Sequence, residues 1–215
     1  NSQPDAAITH AATWTFRQAD HWPYVITIWD NPLSLSRPAA LNAAAKQTNP
    51  VVVDALLKRC MNRAEYAEML SRVYKIPAPY QYWGFRPDPR PANSVAWDLT
   101  DAIEKKLIEV FPNRDEDSAQ VREQILREGV PIPIATLARC LAKESDDARL
   151  AVVLDAMKDN PDESIPGHFM EVLKSTIASE TIRLTALGYL IADLDKANEQ
   201  RLFDLAQSIE DGMVH

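Results

Sequence analysis

Glycine is scarce in this sequence, with only five among 215 residues and no two of them close together. A loop that cradles a phosphate group through its backbone N–H groups needs several flexible positions in close succession. The sequence therefore excludes a glycine-rich phosphate-binding loop, and with it the common nucleotide-binding motifs.

Histidine and cysteine are also rare, with four and two residues respectively, and neither HExxH, CxxC nor CxxCH occurs. His168 and Glu171 are three residues apart and would share a helix face, but a metal ion requires further ligands that the sequence does not identify. Cys60 and Cys140 stand among apolar residues of helical spacing, which favours buried free thiols, with a disulfide as the alternative. We identify no catalytic residue, no metal site and no cofactor, and expect the chain not to be an enzyme.

Long apolar runs and clustered positive charge are likewise absent. A membrane-spanning helix needs about 20 apolar residues in succession, and the longest runs here are far shorter. The formal net charge is −8, and phosphate neutralisation requires a concentrated patch of lysine and arginine. The sequence therefore disfavours nucleic acid and anionic membranes as partners, and with them a helical-repeat enzyme of the alkylpurine glycosylase kind.

One segment, residues 80–97 with the sequence YQYWGFRPDPRPANSVAW, differs from everything around it. Its three alternating prolines force extended backbone, so it cannot be helical, and its aromatic rings need an apolar surface to pack on. We call residues 80–94 the clasp. It is interpreted either as a structural staple between two helical blocks or as a groove for a peptide or glycan. The candidate partner-binding residues are Tyr82, Trp83, Phe85, Arg86, Arg90 and Trp97.

Elsewhere in the sequence, prolines and asparagines separate amphipathic segments of about 10–17 residues, a length typical of helices. Residues 24–29, YVITIW, are compatible with a short strand, but the proline just before them favours a helix. Residues 1–12 lack a periodic apolar pattern and are predicted to be disordered or loosely held. The remaining helices are predicted at residues 37–47, 50–61, 63–74, 95–111, 118–128, 133–143, 146–158, 167–175, 179–193 and 198–208. Ser94 is predicted to be the N-cap of the helix over 95–111, and Gly129 to end the helix over 118–128.

The predicted fold class is all-α, and its expected architecture is a HEAT-like α-solenoid of stacked helix pairs with a proline and aromatic strap in the middle. Residues 146–160 and 179–194 share a polar start, an early arginine and then alanine and leucine at helical spacing, as repeat units do. A compact helical bundle is the alternative. The expected organisation is a first helical block over 13–79, the clasp over 80–94 and a second helical repeat block over 95–215.

The strings YWGFRP and PRPAN, together with the flanking helices, carry a resemblance to a known family over residues 13–160. The chain resembles the HEAT-like helical region of PVC-type haem-binding CxxCH proteins, in which a dehydrogenase-like β-propeller precedes helical repeats and a cytochrome c domain. This chain contains neither CxxCH nor propeller repeats, so neither haem attachment nor dehydrogenase chemistry can be assigned to any residue.

The resemblance implies a periplasmic or otherwise extracytoplasmic location. It also implies a non-catalytic scaffold or protein-interaction module within a larger protein. The alternative is an accessory domain that positions a cytochrome c or dehydrogenase domain in a redox enzyme. In either case the expected partner is another protein or a neighbouring domain of the parent chain, with no nucleic acid and no membrane span.

Overall fold

A computed structural model describes residues 5–77, 94–113, 117–158, 160–175 and 177–192. These residues form eleven α-helices and one two-stranded sheet, which confirms the all-α class. The chain divides into two compact units. The first comprises Asn1–Val110 with Arg127–Val130, and the second comprises Phe111–Leu126 and Pro131–His215. The boundary therefore lies after the helix that follows the clasp, whereas the sequence analysis placed it at the clasp itself.

The first unit contains six helices and the small sheet. The helices are α1 (Ala6–Ala19), α2 (Trp22–Trp29), α3 (Arg37–Ala44), α4 (Pro50–Arg59), α5 (Ala64–Ser71) and α6 (Thr100–Val110), and the strands are β1 (Ile76–Pro77) and β2 (Ser94–Val95). The core of the unit consists of apolar side chains from α2 to α6, among them Trp29, Leu56, Leu70, Ile103 and Leu107.

Helix α1 was not predicted, and its first residues, 6–12, belong to the segment expected to be disordered or loosely held. The Asp5 side chain caps the helix by accepting a hydrogen bond from the Ala7 N–H. The helix buries no side chain completely, which is why its sequence shows no apolar stripe. It is held to α3 instead by hydrogen bonds, because Thr13 donates to the Ala39 carbonyl and Arg17 to the Asn42 and Ala43 carbonyls.

Helix α2 contains the apolar run that was compatible with a strand, and the preference for a helix is confirmed. Pro23 occupies the first turn, where its missing N–H costs no helical hydrogen bond. Trp22, Val25 and Trp29 are buried, so packing outweighs the low helix propensity of the β-branched residues. The Tyr66 hydroxyl of α5 donates to the Trp29 carbonyl at the end of the helix.

Helix α4 begins where predicted, because Asn49 accepts a hydrogen bond from the Val51 N–H and Pro50 follows it. Helix α6, in contrast, begins at Thr100 rather than at residue 95. The prediction of Ser94 as its N-cap is wrong, since Ser94 pairs with Pro77 in the sheet. The pairing with a segment distant in sequence holds residues 94 and 95 in an extended conformation.

The second unit contains α7 (Ser118–Arg127), α8 (Ile134–Lys143), α9 (Asp147–Lys158), α10 (Ile165–Leu173) and α11 (Glu180–Ala192). Each lies within a few residues of its predicted position. Gly129, predicted to end α7, has a φ of 72°, a left-handed conformation that glycine adopts without strain. Cys60 and Cys140 are buried and form no disulfide, as the sequence indicated. The helix predicted over 198–208 lies outside the described residues.

Candidate functional site

Five of the six predicted partner-binding residues, Tyr82, Trp83, Phe85, Arg86 and Arg90, lie outside the described residues. The sixth, Trp97, is described, as are both ends of the segment that contains the other five. The structure therefore shows what holds the clasp at its base.

The base of the clasp is the antiparallel pair of β1 and β2, in which Ile76 is opposite Val95 and Pro77 is opposite Ser94. Sixteen residues, 78–93, connect these paired ends. Their first and last neighbours are consequently one strand spacing apart, about 5 Å. The two ends of the segment therefore lie side by side on the first unit.

Trp97 fixes the chain after β2 to the residues that follow α5. Its indole Nε1 donates to the Val73 carbonyl over 2.9 Å, and its backbone N–H donates to Thr100 Oγ1 over 2.8 Å. The Thr100 hydroxyl in turn donates to the Tyr74 carbonyl over 3.0 Å. These hydrogen bonds join the residues after α5 to the start of α6.

Tyr74 adds a side-chain contact at the same place. Its hydroxyl donates to Glu104 Oε2 of α6 over 2.7 Å, and the Lys75 ammonium lies 5.2 Å from the centre of the Tyr74 ring. Burial and the hydrogen bond to Glu104 raise the pKa of Tyr74 to about 12. The phenol therefore stays protonated and acts as a hydrogen-bond donor rather than as a base.

A pocket of about 330 Å³ lies in the second unit, between α8, α10 and the residues that precede α11. Leu141 and Leu150 contribute to its apolar lining, and Glu144, His168 and Ser175 to its polar lining. Several of these polar groups have partners within the fold. Ser175 Oγ accepts hydrogen bonds from the backbone N–H groups of Ile177 and Ala178, and His168 Nδ1 lies 3.5 Å from Glu171 Oε2.

Beside this pocket lies a buried charge cluster that the sequence analysis did not anticipate. Glu144, at the end of α8, accepts hydrogen bonds from Arg122 Nη1 (3.3 Å) and Arg149 Nη2 (3.0 Å), and from the N–H groups of Ser145 and Asp146. Burial alone would favour the neutral acid. The hydrogen bonds from Arg149, Asp146 and Ser145 outweigh it and lower the pKa of Glu144 to about 2.

Arg122 is the most deeply buried charged side chain of this cluster, with only 1% of its surface exposed. Its Nε donates to the Phe111 carbonyl over 2.8 Å, and its Nη2 donates to the Asn113 carbonyl over 2.9 Å. The guanidinium therefore ties the chain that precedes α7 to the end of α8. These hydrogen bonds and the one to Glu144 all lie within the second unit.

No group of three histidine, cysteine, aspartate or glutamate residues within the described ranges is placed to hold a metal ion. No described helix combines the length and apolarity of a membrane span.

In comparisons with known proteins, no family model, no curated protein and no solved structure matches this chain.

Proposed function

We propose that this chain is a non-catalytic helical-repeat scaffold and protein-interaction module, and that the clasp is its binding edge. The observation that carries the proposal is the paired base, in which β1 and β2 hold the two ends of residues 78–93 side by side. Trp97 and Thr100 attach that base to the residues that follow α5 through hydrogen bonds to the Val73 and Tyr74 carbonyls.

The length of the connection supports this reading over a structural staple. Helices α5 and α6 contact each other, and Tyr74 and Glu104 bridge them directly. Neighbouring helices are usually joined by about 2–8 residues, and loops above about 12–15 residues in compact domains are commonly functional. The residues between Ser71 and Thr100 far exceed what the connection requires, so the additional length serves another purpose.

The additional residues are of the types that are enriched in protein-binding surfaces. Tyrosine, tryptophan and arginine supply most of the binding energy in protein interfaces. The clasp contains Tyr82, Trp83, Phe85, Arg86 and Arg90 within nine residues of sequence. Its alternating prolines reduce the conformational entropy that an extended segment loses when it binds.

We further propose that the helices form stacked pairs, as in HEAT-type solenoids. In such an array each helix contacts its own pair partner and the equivalent helix of the next pair. In the second unit α8 contacts α9 and α10 contacts α11, while α8 also contacts α10 and α9 also contacts α11. In the first unit the same pattern relates α2 with α3, α4 with α5, and α2 with α4.

The resemblance to the helical region of PVC-type haem-binding CxxCH proteins supports an extracytoplasmic location within a larger protein. The partner would then be another extracytoplasmic protein or a neighbouring domain of the parent chain. If the neighbouring domain is a cytochrome c or dehydrogenase domain, the alternative role applies. The chain would then position that domain in a redox enzyme.

The test combines folding and binding measurements on two variants. The first is Trp83→Ala with Arg86→Ala in the clasp. The matched control is Trp14→Ala, which removes an indole that is 62% exposed on α1. Both are used as bait in an extracytoplasmic extract of the source, and their melting temperatures are measured. We expect unchanged melting for both variants and loss of the captured partner for the clasp variant alone.

Two results would count against the proposal. A loss of about 3–5 kcal/mol in the clasp variant, the usual cost of truncating a buried aromatic side chain, would identify the clasp as a staple. Capture of the same partner by the native chain and by the folded clasp variant would place the binding surface elsewhere.

A further inference from the structure

The pocket in the second unit combines an apolar lining with polar groups from one short segment. Leu141 of α8, Leu150 of α9 and Val172 of α10 contribute the apolar lining, and Lys174 and Ser175 line the pocket just after α10. Small-molecule sites are typically concave and mostly apolar, with a few polar groups that orient the ligand. The volume of about 330 Å³ lies at the lower end of the range for such sites, which suits a small ligand.

Ser175 supplies a hydrogen-bond donor that the described part of the fold does not use. Its Oγ accepts hydrogen bonds from the N–H groups of Ile177 and Ala178, over 3.2 and 3.3 Å. A hydroxyl group has one proton to donate besides its two acceptor lone pairs. Because no described residue accepts that proton, it can be donated to a ligand in the pocket.

Lys174 adds a positive charge beside this hydroxyl. Its backbone N–H donates to the Met170 carbonyl at the end of α10, and its side chain lines the pocket. Glu171, one turn earlier, lies 3.5 Å from His168 Nδ1 instead, and no described carboxylate lies within 4 Å of the Lys174 ammonium. The ammonium group is therefore available to an anion.

Glu144 also lines the pocket, but its carboxylate is already saturated. It accepts hydrogen bonds from the side chains of Arg122 and Arg149 and from the N–H groups of Ser145 and Asp146. Its oxygens have no free position for an ammonium ligand, and the two guanidinium groups balance its negative charge. The pocket therefore favours an anion over a cation.

We propose that this pocket binds a small monocarboxylic acid with an aliphatic chain. The carboxylate accepts hydrogen bonds from the Ser175 hydroxyl and the Lys174 ammonium, and charge-assisted hydrogen bonds of this kind are the stronger ones. The aliphatic chain lies against the apolar lining formed by the three helices. One lysine balances one negative charge, which favours a monocarboxylate over a dianion such as phosphate.

The inference does not rest on the proposed function. The pocket lies in the second unit, whereas the base of the clasp lies in the first. The clasp variant, Trp83→Ala with Arg86→Ala, is therefore expected to bind the acid as the native chain does. Failure of one proposal is thus distinguishable from failure of the other.

The test uses octanoate as the probe, titrated below its micelle-forming concentration into the full chain labelled with nitrogen-15. We expect saturable changes in the amide resonances, largest at lining residues such as Leu141, Val172 and Ala178. Hexanoate and butanoate should bind about fourfold more weakly for each methylene group removed, the factor that corresponds to burying one such group. Octan-1-ol and octylammonium have the same chain without the carboxylate and should bind at least about tenfold more weakly.

Three variants test whether octanoate occupies this pocket. Ala142→Phe fills the pocket from an exposed position near the end of α8 and should abolish binding. Lys174→Gln removes the positive charge and should weaken binding about threefold to fivefold, because an ion pair of an exposed lysine contributes little. The matched control is Lys143→Gln, at an exposed lysine of α8 that is not among the lining residues, and it should bind as the native chain does.

The proposal is overturned if octanoate produces no saturable changes, or if the largest changes lie away from the pocket. It is also overturned if octan-1-ol or octylammonium binds as tightly as octanoate, or if the folded Lys174→Gln chain binds octanoate like the native chain. Should Ala142→Phe fail to fold, the comparison of Lys174→Gln with Lys143→Gln and the chain-length series decide the outcome.

Discussion

Replacing Glu144 with glutamine should destabilise the second unit severely. The substitution keeps the shape of the side chain but removes the one carboxylate, among the residues that the structure describes, that lies within 4 Å of the Arg122 guanidinium. Both side chains are almost fully buried, with 1% and 2% of their surfaces exposed. Removing one partner of a buried ion pair leaves an uncompensated buried charge, which typically costs about 3–5 kcal/mol.

The pKa of Glu144 yields a similar magnitude by a separate route. Its ordinary value of 4.5 falls to about 2 in the folded chain, and each pKa unit is worth about 1.4 kcal/mol, so ionisation of Glu144 contributes on the order of 3 kcal/mol. Because the folded pKa is the lower one, this contribution is present above pH 4.5. It is lost as pH falls through the window from about 4.5 to about 2.

The assay is urea unfolding of native, Glu144→Gln and Glu171→Gln chains, followed by circular dichroism at pH 7 and at pH 3. Glu171 is 77% exposed beside His168, so its substitution should change the free energy of unfolding by less than about 0.5 kcal/mol. Glu144→Gln should cost about 3 kcal/mol at pH 7 and clearly less at pH 3. A cost below 1 kcal/mol at pH 7, or one that does not shrink in acid, would refute the reasoning.

Three further predictions concern the first unit. Ultraviolet titration should show one tyrosine ionising near pH 12 that Tyr74→Phe removes, and the contribution of Tyr74 to stability should decline as pH rises from about 10 to about 12. Asn49→Ala should lower the free energy of unfolding by about 1 kcal/mol because the Val51 N–H loses its cap, whereas Asn49→Asp should not. Trp97→Phe should cost about 1 kcal/mol in urea unfolding because the Val73 carbonyl loses its indole donor, and a zero cost would show that water replaces it.

The helices that sequence reasoning located correctly are those whose ends are determined locally. Asn49 and Pro50 start α4, and Gly129 follows α7, because a cap, a proline and a left-handed glycine each act within a few residues. The positions of prolines and the spacing of apolar residues are properties of short segments. A single sequence displays them directly.

The elements that sequence reasoning missed depend on contacts between distant residues. Helix α1 is held by hydrogen bonds from Thr13 and Arg17 to carbonyls 25 or 26 positions later, and such contacts leave no apolar periodicity. Ser94 would cap a helix well by its residue type, but pairing with Pro77 overrides that preference. Local propensity is outweighed wherever a tertiary contact supplies the hydrogen bonds instead.

The buried cluster around Glu144 shows the same limit for charged residues. Arg122 and Glu144 are 22 positions apart on separate helices, and each would be assigned to a solvated face by its type alone. The sequence holds a weak indication that Arg122 is buried. Arg122 follows Val121 directly and lies on the side of α7 that carries Ile125. A charged residue within an apolar stripe indicates a buried pair, although its partner cannot be read from the sequence.

The contacts at the base of the clasp help to distinguish its two interpretations, a structural staple and a binding surface. A staple stabilises a fold where two elements would otherwise lack contacts. Here the residues that follow α5 already share the Tyr74–Glu104 and Thr100–Tyr74 hydrogen bonds with α6, and β1 pairs with β2, all outside residues 78–93. We therefore expect the stability of the first unit to depend on Trp97 and Thr100. Under the proposed function, recognition of a partner would depend on Trp83, Arg86 and Arg90.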